Sequence, residues 1–300
     1  MDRKTVRSGL AGAGFAANFH YESVMRVHGV NVEVQGVYSP MPDGAAFAEA
    51  RGIKSFGSLD EMLDVVDIVH VCAPPSTHEK IAVAALERDK SVIVEKPFTG
   101  YFGDGSDEFD GDTFPRQDAL DNALASIDRM LAAESKSQGR ICYAENWVYA
   151  PSVQKEREII EKTGAQILWV HGEESHSGSH SATYGIWKFS GGGSLMGKGC
   201  HPLTAALYLK RVEGRARNGT PIRPKSVTCR LHSITRLPGY EDKGHIRTDY
   251  KDVEDFSMTH ITFDDGTVAD VFSTELVLGG VHNWLEVAAN NHRTICNINP

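Results

Sequence analysis

The stretch Val6-Arg7-Ser8-Gly9-Leu10-Ala11-Gly12-Ala13-Gly14-Phe15-Ala16-Ala17 decides the fold of the first half of the chain. Residues 6–11 read as a short apolar strand and residues 16–27 as a helix, with two glycines making the turn between them. In a GxGxxA run at such a junction, Gly12 permits the tight turn and Gly14 lets the backbone approach a pyrophosphate. Ala17 then allows the helix to lie close on the sheet. The helix start adds N–H donors and the positive end of its dipole. Gly12, Gly14, Phe15 and Ala16 are therefore candidate contacts to a dinucleotide.

Outward from this turn, strand patterns at 32–38, 68–72 and 91–94 alternate with helical patterns at 43–50, 60–63 and 78–88. Strands apolar on both faces and separated by helices predict a parallel sheet covered on both sides. Right-handed crossovers make that a doubly wound α/β domain. The rhythm breaks at residues 99–118, which hold four glycines and the acids Asp104, Asp107, Glu108, Asp110 and Asp112. This stretch reads as an inserted, solvated loop. A helix over 118–133 and a strand over 140–143 close the first domain, predicted as residues 1–143.

From residue 144 the pattern changes. A helix at 151–163, an alternating strand at 166–171, a Gly/Ser/His-rich loop at 173–193 and a helix at 195–209 precede strands near 226–232, 256–263, 267–278, 284–289 and 294–297. Asp264-Asp265-Gly266 marks a hairpin. Residues 144–300 are predicted to form an α+β domain on a largely antiparallel, open sheet.

Composition bounds the partners. Lys and Arg number 31 against 40 Asp and Glu, a net charge of −9, so nucleic acid is not an expected partner. No apolar run approaches the ~18–20 residues of a membrane span, and no signal segment is recognised, so no membrane association and a cytoplasmic setting are expected. The 5 cysteines are scattered without a CxxC pair, as in reduced intracellular proteins.

Two further strand ends carry candidate residues. Cys72-Ala73-Pro74-Pro75-Ser76-Thr77-His78 and Val94-Glu95-Lys96-Pro97 both fall at carboxyl ends of parallel strands, the edge where open α/β sheets bind ligands. Ser76 or Thr77 could cap the following helix. The Lys96–Pro97 bond is a candidate for the cis form. At the end of the second strand, Ser39 stands where an acid would hold a ribose or an arginine a 2′-phosphate. The cofactor is thus NAD or NADP, with a slight balance toward NAD.

Taken together, Gly12–Ala17, the APPSTH run, Glu95-Lys96-Pro97 and the glycine–histidine segment Gly191–His201 resemble the Gfo/Idh/MocA oxidoreductases, the family of glucose–fructose oxidoreductase and inositol dehydrogenase. The resemblance implies NAD(P)-dependent hydride transfer at a carbinol of a sugar, cyclitol or sugar acid. It places Lys96 beside the nicotinamide as general acid/base, with His201 sharing the proton. It also implies cofactor contacts from Ala73, Pro74, Ser76, His78 and Glu95, and pairing into a homodimer or homotetramer through the second sheet. Family members usually continue beyond residue 297, which leaves open whether this chain is short or a piece of a longer one.

One family feature is missing. Dehydrogenase members carry an Asp four residues before the His; here that position is Gly197, and a second acidic position is Thr204. Glu145, Tyr184, Lys198, His176 or His180 could replace the acid, and Trp147, Tyr149, Tyr184 and Trp187 offer faces for sugar stacking. The histidines lack carboxylates at ligand spacing, so no metal is expected. The same gap admits two alternatives. One is an enzyme using bound NAD transiently for elimination, glycoside cleavage or epimerisation; the other is a non-catalytic dinucleotide or sugar sensor.

Overall fold

The computed structural model describes residues 4–178 and 182–299. They divide into two compact units: residues up to Phe102 with Phe114–Ala144, and Gly103–Thr113 with residues from Glu145 onward.

In the first unit, β1 (Thr5–Ala11), α1 (Phe15–Val24), β2 (Asn31–Tyr38), α2 (Asp43–Glu49), β3 (Lys54–Ser55) and α3 (Leu59–Leu63) are followed by β4 (Ile68–Val71), α4 (His78–Leu86), β5 (Ser91–Val94), α5 (Arg116–Lys136) and β6 (Ile141–Tyr143). The strands lie in the order β3-β2-β1-β4-β5-β6, and every pairing is parallel. The chain winds outward from β1 to β3, then restarts at β4 on the other side. The switch point therefore falls between β1 and β4, at the carboxyl edge where the glycine turn emerges. Leu10, Val37, Val69, Val71, Val92 and Val94 are all buried. Helices cover both faces, which is why these strands read as unbroken apolar runs.

The second unit contains α6 (Pro151–Thr163), β7 (Ile167–Ser175), α7 (Trp187–Ser190), α8 (Cys200–Asn218), β8 (Pro224–His232), β9 (Phe256–Phe263), β10 (Val268–Thr274), β11 (His282–Ala289) and β12 (Arg293–Asn297). Its strand order is β12-β11-β7-β10-β9-β8. Only β7 and β10 run parallel; the other neighbours are antiparallel. Gly266, at φ 83°, makes the hairpin turn between β9 and β10. Val153 and Ile160 of α6 and Ala205 and Leu209 of α8 pack with Ile167, Val170, Ile261 and Leu285 in one core. The opposite sheet face is open, with Met258 and Ile295 more than half exposed.

Three local expectations change. The strand predicted to stop at residue 171 continues to Ser175, because β7 is hydrogen-bonded on both sides, to β10 and β11. Ladder pairing there overrides the weak strand propensity of Gly172-Glu173-Glu174. The helix predicted over 195–209 is two pieces, a wide π turn at Leu195–Gly199 and then α8. A Cβ at Gly199 would lie 2.9 Å from both Leu195 Cδ1 and Ser273 Oγ, so the turn is packed around the absent side chain. The acidic stretch is also not wholly solvated. Gly111 is buried and donates its N–H to Asp252 Oδ2 at 3.0 Å, and Asp112 accepts from the Arg236 guanidinium.

No helix among the described residues is long and apolar enough to cross a membrane.

Candidate functional site

In the first unit the candidate residues gather at the ends of β1, β2, β4 and β5. Gly12 sits at φ 109°, and a Cβ there would stand 2.6 Å from the Cys72 carbonyl oxygen. Only glycine lets β1 turn this tightly against the end of β4. Gly14 has open space where a Cβ would project. It also precedes α1 without a side-chain cap, and no acid occupies the first turn of that helix. An uncapped helix start facing open space is what a pyrophosphate requires, so these residues fit a dinucleotide. Phe15, the first residue of α1, is 70% exposed.

At the end of β2 the Ser39 hydroxyl donates to Asp43 Oδ1 at 2.8 Å. Asp43, first residue of α2 and exposed, is an acid that the sequence reading passed over because it lies one helical turn beyond the strand end. The APPSTH turn also departs from expectation. Neither Ser76 nor Thr77 caps α4 through its side chain. The Thr77 hydroxyl instead donates back to the Pro74 carbonyl at 2.8 Å, and Ser76 is exposed.

His78, expected among the cofactor contacts, is wholly buried. Its Nδ1 and Nε2 each lie 3.0 Å from a carbonyl oxygen, of Pro97 and Ala73 respectively. It ties the turn after β4 to the turn after β5. Burial lowers its proton affinity, against the pull of those carbonyls and of Glu95. The Lys96–Pro97 bond is cis. Glu95 Oε2 accepts the Lys96 N–H at 3.0 Å and Oε1 accepts from His20 Nε2 at 2.9 Å. Burial opposes ionisation of Glu95, but the hydrogen bond and charge of His20, with the Lys96 charge, outweigh it and hold the carboxyl below its ordinary range.

In the second unit, His201 opens α8, and its Nδ1 donates to Glu145 Oε1. Because the acceptor is a carboxylate, Nδ1 carries the hydrogen and Nε2 is the nitrogen free to exchange a proton with a ligand. Glu174 Oε2 lies 3.9 Å from that Nε2. The Trp147 ring stacks on the imidazole, with centroids 6.0 Å apart and planes 13° from parallel, and Trp147 N–H donates to Glu145 Oε1 at 3.3 Å. Glu145, Trp147 and His201 are all buried. Glu145 Oε2 has no hydrogen-bond partner. A buried orphan carboxylate oxygen beside a catalytic-type imidazole is an acceptor in waiting.

Lys198 is 1% exposed and ion-paired with Glu275. Glu275 also accepts from the Tyr250 hydroxyl at 3.1 Å; burial first, then the Glu275 charge, raises the proton affinity of that phenol. A Cβ on Gly197 would meet Tyr184 Cε1 at 3.2 Å, so Tyr184 packs over the position where the family acid is missing. The Gly191–Gly193 segment is a structural turn: Gly193 and Leu195 donate their N–H groups to the buried Glu254 carboxylate at 2.9 and 3.0 Å. His176 Nδ1 pairs with the Gly178 carbonyl at 2.8 Å, and His180 lies outside the described residues. Sequence reading missed Glu174, Glu275 and Tyr250. Only the strand register of β7 and β10 brings Glu174 and Glu275 near the start of α8, and no local motif marks them.

Fold and phosphate turn together define a dinucleotide-binding α/β protein with an appended α+β domain. Residues 6–107 are similar to the oxidoreductase family with an NAD-binding Rossmann fold, the Gfo/Idh/MocA group. Over 96 residues it is 32% identical to UDP-N-acetylglucosamine 3-dehydrogenase of Acidithiobacillus ferrooxidans, covering 31% of this chain and 29% of that one. Over 90 residues it is 34% identical to glucose-6-phosphate 3-dehydrogenase of Bacillus subtilis, covering 30% and 25%. These matches thus span less than a third of either relative. The fold of the whole chain is similar to that of GenD2 from gentamicin A biosynthesis, solved in complex with NAD, at a TM-score of 0.75 and 22% identity over 99% of this chain and 73% of that one.

Proposed function

We propose that the chain is an NAD(P)-dependent oxidoreductase that moves a hydride between nicotinamide and a carbinol of a sugar, cyclitol or sugar acid. The observation that carries this reading is the Glu145–His201 pair. It supplies a carboxylate-oriented imidazole in a chain whose family acid is replaced by Gly197. A nicotinamide cofactor held at the glycine turn would supply the hydride chemistry; binding, orientation and proton exchange would fall to the protein's own residues.

Oxidation of a carbinol releases a proton from its hydroxyl. Lys96, partly buried and next to a cis-proline turn, is the group assigned to accept it. A lysine in a partly dry site loses proton affinity and becomes a usable base near neutral pH. Glu145 holds His201 in one tautomer, as a carboxylate does for any imidazole that must relay a proton. His201 Nε2 then meets a substrate hydroxyl, and Trp147 stiffens the ring from its face. Gly12, Gly14, Phe15, Ala16, Ser39 with Asp43, Ala73, Pro74 and Ser76 are the groups proposed to hold the dinucleotide. An acid beside the Ser39 hydroxyl suits ribose hydroxyls and repels a 2′-phosphate, which favours NAD.

The open face of the second sheet carries Trp169, Met258, Phe272, Trp284 and Ile295 on paired positions. These alternate with His260, Asp270, His171, Glu286 and Glu173 on the same face, and such a mixed face of aromatic and charged groups is suited to a second copy of the chain. Light scattering should report at least a dimer, and Met258→Glu should dissociate it.

The direct test screens NAD and NADP with a panel of sugars and cyclitols, following reduced-nicotinamide absorbance. Growth with a sugar-type substrate supports the reading, and Glu145→Gln should lower kcat/KM by about 10²-fold. Product without any net reduced cofactor would replace it with the transient-redox mechanism. Binding without turnover across the panel would favour a sensor.

A further inference from the structure

Next to the Glu95-Lys96-Pro97 turn, His20 bonds the Glu95 carboxylate and His70 bonds His20, while His78 bonds the carbonyls of Ala73 and Pro97. His20 comes from α1, His70 from β4 and His78 from the start of α4. Glu95 Oε1 accepts from His20 Nε2 at 2.9 Å, and His20 Nδ1 lies 2.8 Å from His70 Nδ1. The two rings cross at 87°. A nitrogen–nitrogen distance of this size requires one hydrogen between the rings. His20 Nε2 must donate to the carboxylate, so only the inner proton is undecided. Either neutral His20 accepts it from His70, or protonated His20 donates it.

Burial, and then the His20 charge, hold His70 uncharged down to about 3. The remaining titratable groups facing Glu95 are the buried His78, the buried Cys72 thiol and Lys96 itself. Glu95 is bonded to the Lys96 backbone and its charge interacts with that of the Lys96 side chain.

We propose that His20 and His70 are positioning residues for Lys96, acting through Glu95. The proton held along His70–His20–Glu95 sets how much of the Glu95 negative charge reaches the lysine ammonium. With His20 donating, the carboxylate is partly neutralised and Lys96 gives up its proton more readily. Without it, the bare carboxylate retains the ammonium form. This inference rests on the reading of Lys96 as the proton-accepting group, but its test needs no turnover.

The experiment is competitive acetylation of the intact chain with acetic anhydride across a pH series, the Lys96 peptide being read by mass spectrometry against all other lysines. Glu95→Gln removes the negative charge, so Lys96 should label roughly three- to tenfold faster near pH 8, the size of a half- to one-unit change in proton affinity. His20→Phe uncovers the carboxylate and should slow labelling by a similar factor. His70→Phe should act in the same direction as His20→Phe, and less. His20→Gln keeps a donor toward Glu95 and should restore the native rate, which separates hydrogen bonding from loss of packing. Thermal melting identifies the variants that fold. Native Lys96 labelling in folded Glu95→Gln and His20→Phe overturns the proposal, as does a change of the same sign in both. Lost turnover with these shifts intact would reject the proposed reaction and leave the network standing.

Discussion

The two units treat charge in opposite ways. The first keeps the core of its parallel sheet mostly apolar, with His70 of β4 an exception, and places its candidate site groups at the strand ends, where backbone turns do the shaping. The titratable groups buried there, His70, His78 and Cys72, are ones that burial drives toward the neutral form. The second unit buries ions outright: Lys198 against Glu275, and Lys210 against Glu213 and Asp265. Charged groups leave water at a cost of several kcal/mol each, recovered only with good pairing. A site built on backbone turns is sensitive to glycine replacement, while one built on paired ions is sensitive to loss of either partner.

The largest effect is expected where a buried pair is split. Lys198→Met removes the buried cation paired with Glu275 and should cost about 3–5 kcal/mol in denaturant unfolding. The double variant Lys198→Met with Glu275→Leu should recover most of that loss. If the double variant were as unstable as the single one, pairing would not be what the second unit relies on. In the first unit, Gly12→Ala forces a side chain into the Cys72 carbonyl at a positive φ. It should cost about 1–3 kcal/mol and remove NAD binding measured by calorimetry. Full NAD affinity in that variant would sever the link between turn and cofactor.

The smallest effect belongs to an exposed pair. Asp67 is held at about 2 by the Arg7 hydrogen bond first, then its backbone N–H and charge. A depressed carboxylate stabilises the fold at pH above its unfolded value near 4, and the contribution disappears as pH falls toward 2. Solvent screening keeps it small. Arg7→Ala should therefore lower the melting midpoint slightly at neutral pH and leave it unchanged near pH 2.

The same contrast explains what could be read from the sequence. Each first-unit motif is local: Gly12 to Ala17 needs only its own strand and helix, and the APPSTH and Glu-Lys-Pro runs announce strand ends by position. Asp43 escaped because its role depends on how α2 begins rather than on where β2 stops. In the second unit His201 and Glu145 were each visible as candidates, but they are 56 positions apart, and their bond exists only after α8 is laid across the sheet. Lys198 was also visible as a candidate, but nothing near it in sequence revealed its partner Glu275, 77 positions on. Pairing across such separations is a property of the fold, and composition around either residue carries no trace of it.

An NAD site beside a proton-accepting Lys96 is tested most directly by initial reduction of NAD with the sugar-type substrate found in the panel, comparing the native chain with Lys96→Ala at matched NAD occupancy. The variant should lose about 10²–10⁴-fold in kcat with NAD affinity and melting preserved. Turnover undiminished in Lys96→Ala would contradict it.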